Sequence, residues 1–167
     1  MPNAGKSSFI RQVSSAKPKV ADYPFTTIHP NLGVVSVENN SFVIADIPGV
    51  IQGASKGLGL GLEFLKHLER TKILLHIVDV LPSDNSNPVD NYKTIENELK
   101  KYSTKLANKH KILALNKLDL IPEDKRDELI KKLIKEMGFS GEFFKISAIN
   151  GLGCKNLIYH LNNIIND

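Results

Sequence analysis

Five short segments, in one order along the chain, carry side chains whose types and spacing could hold a nucleoside triphosphate and its metal. They are Pro2-Asn3-Ala4-Gly5-Lys6-Ser7-Ser8, Phe25-Thr26-Thr27, Asp46-Ile47-Pro48-Gly49, Asn116-Lys117-Leu118-Asp119 and Ser147-Ala148. The first follows the phosphate-loop pattern, Gly-x-x-x-x-Gly-Lys-[Ser/Thr]. Its leading glycine would stand just before Met1, so the chain reads as opening inside that loop. The loop Met1–Gly5, including Pro2, Asn3, Ala4 and Gly5, is expected to wrap a β-phosphate with backbone N–H groups (Pro2 itself has none), helped by the N-terminus of a following helix. Lys6 then sets a point charge on the β- and γ-phosphates, and the Ser7 hydroxyl ligates Mg²⁺.

Thr27 lies in the loop after the first helix, where a nucleotide switch supplies a second hydroxyl to Mg²⁺. Phe25, Thr26, Ile28 and His29 belong to the same expected binding segment. Asp46 ends a strand candidate and can hold Mg²⁺ through water, while the Gly49 N–H meets the γ-phosphate beyond Ile47 and Pro48. Lys6, Thr27 and Gly49 are thus the catalytic candidates, and Ser7, Thr27 and Asp46 the metal ligands. A strand-ending Asp can also simply cap a helix.

The segment 116–119 chooses the base. A carboxylate accepts from two adjacent donors, and guanine offers N1–H and N2–H₂ in that arrangement. Adenine offers neither and would leave the Asp119 carboxylate unpaired, a strong basis for rejection. Asn116 is expected to assist, with Lys117 and Leu118 completing the loop. Ser147, Ala148 and Ile149 close the site, the Ala148 N–H reaching guanine O6. Val50 stands where a water-orienting glutamine would sit, so intrinsic GTP turnover should be slow. Asn3 has two open readings: a ligand for a monovalent cation such as K⁺, standing in for an arginine finger, or a loop Asn tolerating an unusual backbone angle.

These loops need a frame. Strand candidates are Gly33–Val37, Phe42–Asp46, Ile73–Asp79, Ile112–Asn116 and Phe143–Ser147. Helical periodicity predicts Lys6–Ser15, Gly59–Thr71, Asp90–Leu106, Glu123–Met137 and Lys155–Ile165. Such alternation predicts an α/β fold, a mostly parallel sheet with helices on both faces. Asn39-Asn40 reads as a hairpin turn, which makes one edge strand antiparallel. Lys17–Pro30 and Leu81–Pro88 read as loops, and the strand that should precede the phosphate loop, a central one, is missing from the chain.

One domain over residues 1–167 is the expectation from length. Hydrophobic content of 41% and charge of 24% match a soluble globular protein, and a net charge of +4, spread out, gives no nucleic-acid signal. The single cysteine, Cys154, forms no internal disulfide and reads as a thiol at a helix start, in keeping with a cytoplasmic location. No apolar run is long enough for a membrane span, and the five histidines lack metal-ligand spacing.

Two longer stretches are more specific. Asp22-Tyr23-Pro24-Phe25-Thr26-Thr27-Ile28-His29-Pro30-Asn31-Leu32-Gly33 resembles the switch segment of the Obg (CgtA) GTPases. Asp46-Ile47-Pro48-Gly49-Val50-Ile51-Gln52-Gly53-Ala54, with Gly57-Leu58-Gly59-Leu60-Gly61 and Phe64-Leu65-Lys66-His67-Leu68-Glu69-Arg70, is similar to that family's second switch and helix. His29 and Gln52 depart from the usual Val and Glu. The resemblance implies a P-loop NTPase of Ras-like GTPase fold, the GTPase domain alone, N-terminally truncated. It further implies Mg²⁺ and GTP/GDP as ligands, and a cytoplasmic role in assembly of the large ribosomal subunit and in stress signalling. Two alternatives stand beside it: a ribosome or tRNA-modification GTPase of another branch, and a nucleotide-binding fragment without turnover.

Overall fold

The structure is a computed structural model that describes residues 4–20, 29–46 and 67–167. Helix α1, Lys6–Val13, starts from Gly5, whose φ of 93° lies in the left-handed region. It buries Phe9, Ile10 and Val13, one face of a two-turn helix. Strands β1 (Lys19–Val20), β2 (Asn31–Val37) and β3 (Asn40–Ala45) form an antiparallel sheet. In β2, Val35 and Val37 point to the core while Val34 and Ser36 face out, the period-2 alternation of a half-solvated sheet.

The hairpin turn falls one residue earlier than expected. Val37 pairs with Asn40, so the two-residue loop is Glu38-Asn39, with Glu38 at a φ of 55°. Asn40 is a paired strand residue. The segment expected as a loop also contributes β1, which borrows regularity by pairing Lys19 with Leu32 and carries no periodic signal of its own.

Strands β4 (Leu74–Asp79), β5 (Lys111–Asn116) and β6 (Phe143–Lys145) form a parallel sheet with β5 in the middle. Ile112 through Asn116 are all buried, the continuous run of a strand covered on both faces. Helix α2, Pro88–Tyr102, is capped by Asn87, whose side chain accepts from the Val89 and Asp90 N–H groups. The expected single helix to Leu106 breaks at Ser103, which is extended at a φ of −163° and caps the next turn, α3 (Thr104–Ala107). Helix α4, Glu123–Met137, matches its expected bounds and ends on Gly138. Helix α5, Cys154–Asn166, closes the chain. Of the helix expected before β4, residues 67–70 are described and helical.

Helices lie on both faces. Phe9 and Val13 of α1 and Leu157 and Leu161 of α5 pack with Val35, Phe42, Ile77 and Ile112. Tyr92 of α2 and Ile130, Leu133 and Met137 of α4 pack with Val78, Leu113 and Leu115. Among the described residues the two sheets do not pair with each other. An apolar cavity of about 440 Å³ separates the edges of β3 and β4.

One polar cluster sits under α2. His76 on β4 is buried, stacks on Tyr92 at 5.1 Å, and has its Nδ1 3.7 Å from Glu96, too far for a hydrogen bond. Lys111 pairs with the other oxygen of Glu96. Burial holds the imidazole below its ordinary value of 6.5, so the folded chain refuses a proton that the unfolded chain accepts. For Glu96, burial raises the pKa, but His76 and Lys111 outweigh it and the net shift is downward. Both effects remove stability as pH falls, the histidine first, below about 6.5. The urea midpoint should drop between pH 7.5 and 5.5, and His76→Leu should flatten that step.

Candidate nucleotide-binding site

The site forms where the carboxyl ends of β4 and β5 meet the amino end of α1, the place where open α/β sheets bind ligands. Asn116 ends β5 and is 2% exposed. Its Nδ2 donates to the Ala4 carbonyl at 2.8 Å, and its Oδ1 accepts from the Ala148 N–H at 2.9 Å. One side chain therefore ties the phosphate-loop segment to the segment after β6. A Cβ on Gly5 would lie 2.2 Å from that Nδ2, so the loop needs glycine for space as well as for its φ.

This arrangement bears on two expectations. Both polar ends of Asn116 meet backbone, so it positions the loops, and each end keeps a second N–H or lone pair beyond these two bonds. The Ala148 N–H, expected on guanine O6, is donated to Asn116 instead. A buried amide oxygen left unpaired is costly, and the nearest donor goes to it.

Lys117 adopts a left-handed φ of 71°, which turns the chain sharply into the 3₁₀ turn Leu118–Leu120. Leu118 is buried and anchors this turn through its N–H to the Ile146 carbonyl at 3.3 Å. Asp119 is left exposed at the surface of the site, where its Oδ1 accepts from the Ser147 hydroxyl at 2.6 Å. Ser147 is fully buried, so it fixes the carboxylate from behind. Ile149 is 79% exposed and lies beyond the segment's buried part.

The sequence reading missed Asp79. It ends β4 in register with Asn116, forms an ion pair with the Lys117 ammonium, and accepts from the Leu81 N–H at 2.9 Å. Its signal was available: a carboxylate at a strand's end, level with the base-choosing loop on the next strand. Gly153 is a second tight point, since a Cβ there would meet the Lys145 carbonyl oxygen at 2.0 Å. Cys154 stands at the start of α5 as expected, and burial pushes its thiol up to about 11.

On the phosphate side, the Ser7 hydroxyl donates to Asp46 Oδ2 at 3.3 Å. Asp46 is 7% exposed, and its Oδ1 is buried with no hydrogen-bond partner among the described residues. An alcohol oxygen beside a carboxylate with an orphaned oxygen is a hard-oxygen donor set that fits Mg²⁺. No cluster of three His, Cys, Asp or Glu that could hold a metal exists among the described residues. Lys6 is half-buried as the first residue of α1, and His29 is exposed. The expected roles of Pro2, Asn3, Phe25, Thr26, Thr27, Ile28, Ile47, Pro48, Gly49 and Val50 lie outside the described residues.

The family described as 50S ribosome-binding GTPase matches residues 1–117. A "GTPase Obg" of Vesicomyosocius okutanii is 61% identical over 95% of this chain and 47% of its own length. A "GTPase Obg" of Ruthia magnifica is 57% identical over 100% of this chain and 50% of its own. The chain thus spans about half the length of these curated relatives. Among solved structures, the G domain of the T. maritima FeoB iron transporter is similar at a TM-score of 0.66 and 19% identity, over 98% of this chain and 93% of that one. Nucleolar GTP-binding protein 1 of Plasmodium falciparum is similar at 0.65 and 20% identity, over 99% of this chain and 82% of that one. These two likenesses establish the P-loop GTPase fold alone. From the family match, the chain belongs to the 50S ribosome-binding GTPase family, and over about half their length it is similar to the Obg relatives.

Proposed function

We propose that this chain binds GTP and GDP with Mg²⁺ and hydrolyses GTP slowly. The observation that carries this reading is the Asn116 bridge, which draws the phosphate-loop, base-choosing and closing segments into one site. Gly5 and the start of α1 supply N–H groups and a positive helix end for phosphate. Lys6 adds charge that follows the phosphoryl group as its bond loosens. Ser7 and Asp46, with Thr27, would hold Mg²⁺, which supplies neutralisation of phosphate charge when bound. Asp119, braced by Ser147, accepts from the guanine edge.

Val50 offers no group to orient water, which supports slow turnover. If Asn3 holds a monovalent cation in compensation, turnover should be faster in K⁺ than in Na⁺, and equal rates would remove that role. The family's description supports the large ribosomal subunit as a partner, and from the resemblance of residues 22–33 and 46–70 to the Obg switch segments we further propose a cytoplasmic role in large-subunit assembly and stress signalling. Among the described residues no helix is long and apolar enough to cross a membrane.

The direct test is titration of fluorescent GDP onto the 167-residue chain, with GTP, ATP and EDTA as challengers. Displacement by GTP and not ATP, with weakening on chelation, is the expected result. Displacement by both nucleotides alike would overturn the guanine assignment.

A further inference from the structure

Folding gathers the chain's excess charge at one end. Residues 69–72 and 96–111 hold seven lysines and arginines against three carboxylates, a net +4 that equals the net charge of the whole chain. The two stretches touch, since the Lys109 ammonium donates to the Glu69 and Thr71 carbonyls and the Ser103 hydroxyl to the Glu69 carboxylate. Their carboxylates lie inward and their ammonium groups outward. The Glu98 side chain is 11% exposed and its partner Lys101 60%, while Glu69 is 27% exposed and its partner Lys105 70%. Glu96, turned toward His76, is covered by Lys111. Arg70 and Lys100 are exposed and form no ion pair among the described residues. Two borders close the patch: Lys72 is tied to the Ile165 carbonyl near Asp167, and His110 stands 3.6 Å from the exposed Glu142. Helix α4 shows the contrast. Its five basic and five acidic side chains are all exposed but Arg126, so opposite charges cancel at its surface.

We propose that this basic end binds the phosphate backbone of RNA, with Arg70, Lys100, Lys101 and Lys105 as the contacts. The proposal rests on the large ribosomal subunit, an RNA-rich assembly, as partner. Exposed ion pairs are worth at most about 1 kcal/mol, so Lys101 and Lys105 exchange a carboxylate for a phosphate at small cost. Lys109 and Lys111 are tied inward and add to the field without reaching out. The tyrosine of these stretches, Tyr102, is half-buried and its hydroxyl is buried, so bases find no exposed phenol ring to stack on. Contact is therefore with phosphate and independent of sequence. The patch also lies away from the nucleotide site. Lys111 begins β5 and Lys72 stands just before β4, whereas the site takes the carboxyl ends of these parallel strands. Strands of six residues set the two about 20 Å apart, so RNA and nucleotide are held together.

The probe is a fluorescein-labelled RNA hairpin, titrated by anisotropy in rising KCl. Four phosphate contacts predict an affinity that falls with salt at a log–log slope of about −3. Arg70→Gln/Lys100→Gln/Lys101→Gln/Lys105→Gln should bind at least tenfold more weakly, with little salt dependence left. Lys125→Gln/Lys131→Gln/Lys132→Gln/Lys135→Gln, on α4, removes the same charge and should stay within twofold of the wild type. The lighter pair Arg70→Gln/Lys100→Gln breaks no ion pair among the described residues and should reduce the slope by about 2. Circular dichroism and fluorescent-GDP titration check each fold. Equal losses in the two fourfold variants would overturn the proposal, because net charge alone would then be at work. So would displacement of the hairpin by polyglutamate as readily as by unlabelled RNA, the mark of a surface for acidic polypeptide. Co-sedimentation with large ribosomal subunits separates the patch from the partner. Hairpin binding by a chain that leaves the subunit free supports the patch and removes the partner. A patch variant that sediments with the subunit as the wild type does overturns the patch and leaves the partner standing.

Discussion

Replacing Asn116 by alanine should weaken GDP binding about 100-fold, because Asn116 ties two loops of the site together. Both its amide atoms bond to backbone, the Ala4 carbonyl at 2.8 Å and the Ala148 N–H at 2.9 Å. Truncation leaves two buried polar groups without partners, each worth about 1–3 kcal/mol. Together they reach about 3 kcal/mol, close to a 100-fold change in affinity once the loops lose their common anchor. Gly5→Ala should fail similarly from the other side, because its Cβ would press on Asn116 Nδ2 at 2.2 Å and its φ of 93° resists a side chain. The double variant should then be less damaging than the sum, since alanine at 116 removes the atom that the new Cβ strikes. Fluorescent-GDP titration of the four proteins measures this directly. A wild-type Kd for Asn116→Ala would mean that the loops hold their places without the bridge.

This dependence on one buried side chain explains what the sequence could and could not reveal. Segments whose chemistry is local were legible: Gly5 before a helix, Ser7 on its first turn, Asp119 after a buried strand. β5 was legible because Ile112 to Asn116 form an unbroken buried run bounded by polar residues. What escaped depends on partners distant in sequence. Asp79 gains meaning only because β4 pairs with β5 in a register that sets it beside Asn116, and because Lys117 turns back toward it. β1 exists only through its pairing with β2. The break at Ser103 was hidden because α2 and α3 share the same helical composition, and only the Ser103 backbone and cap divide them. The bridging role of Asn116 was hidden for a related reason. A tetrapeptide shows which groups are available, but not which backbone atoms reach them first.

Asp119→Asn should exchange guanine for xanthine preference, weakening GDP binding by 100-fold or more and giving XDP the tighter affinity. The present carboxylate can only accept, and guanine N1–H and N2–H₂ offer it two donors. An asparagine presents one acceptor and one amide donor, so it loses the match to N2–H₂ and meets it with another donor. Xanthine carries a carbonyl at that position and accepts from the new amide. The substitution leaves the frame intact for a structural reason. Asp119 is exposed, and the Ser147 hydroxyl that braces it at 2.6 Å needs only an acceptor, which the asparagine oxygen still provides. Ser147→Ala separates bracing from recognition: it removes the brace but keeps the carboxylate, so it should cost affinity for GDP while leaving the guanine-over-xanthine preference in place. Competition of GDP and XDP against one fluorescent nucleotide reads both effects. Retained guanine preference in Asp119→Asn would show that the base is chosen by other atoms, and Asp119 would then be only a surface partner of Ser147.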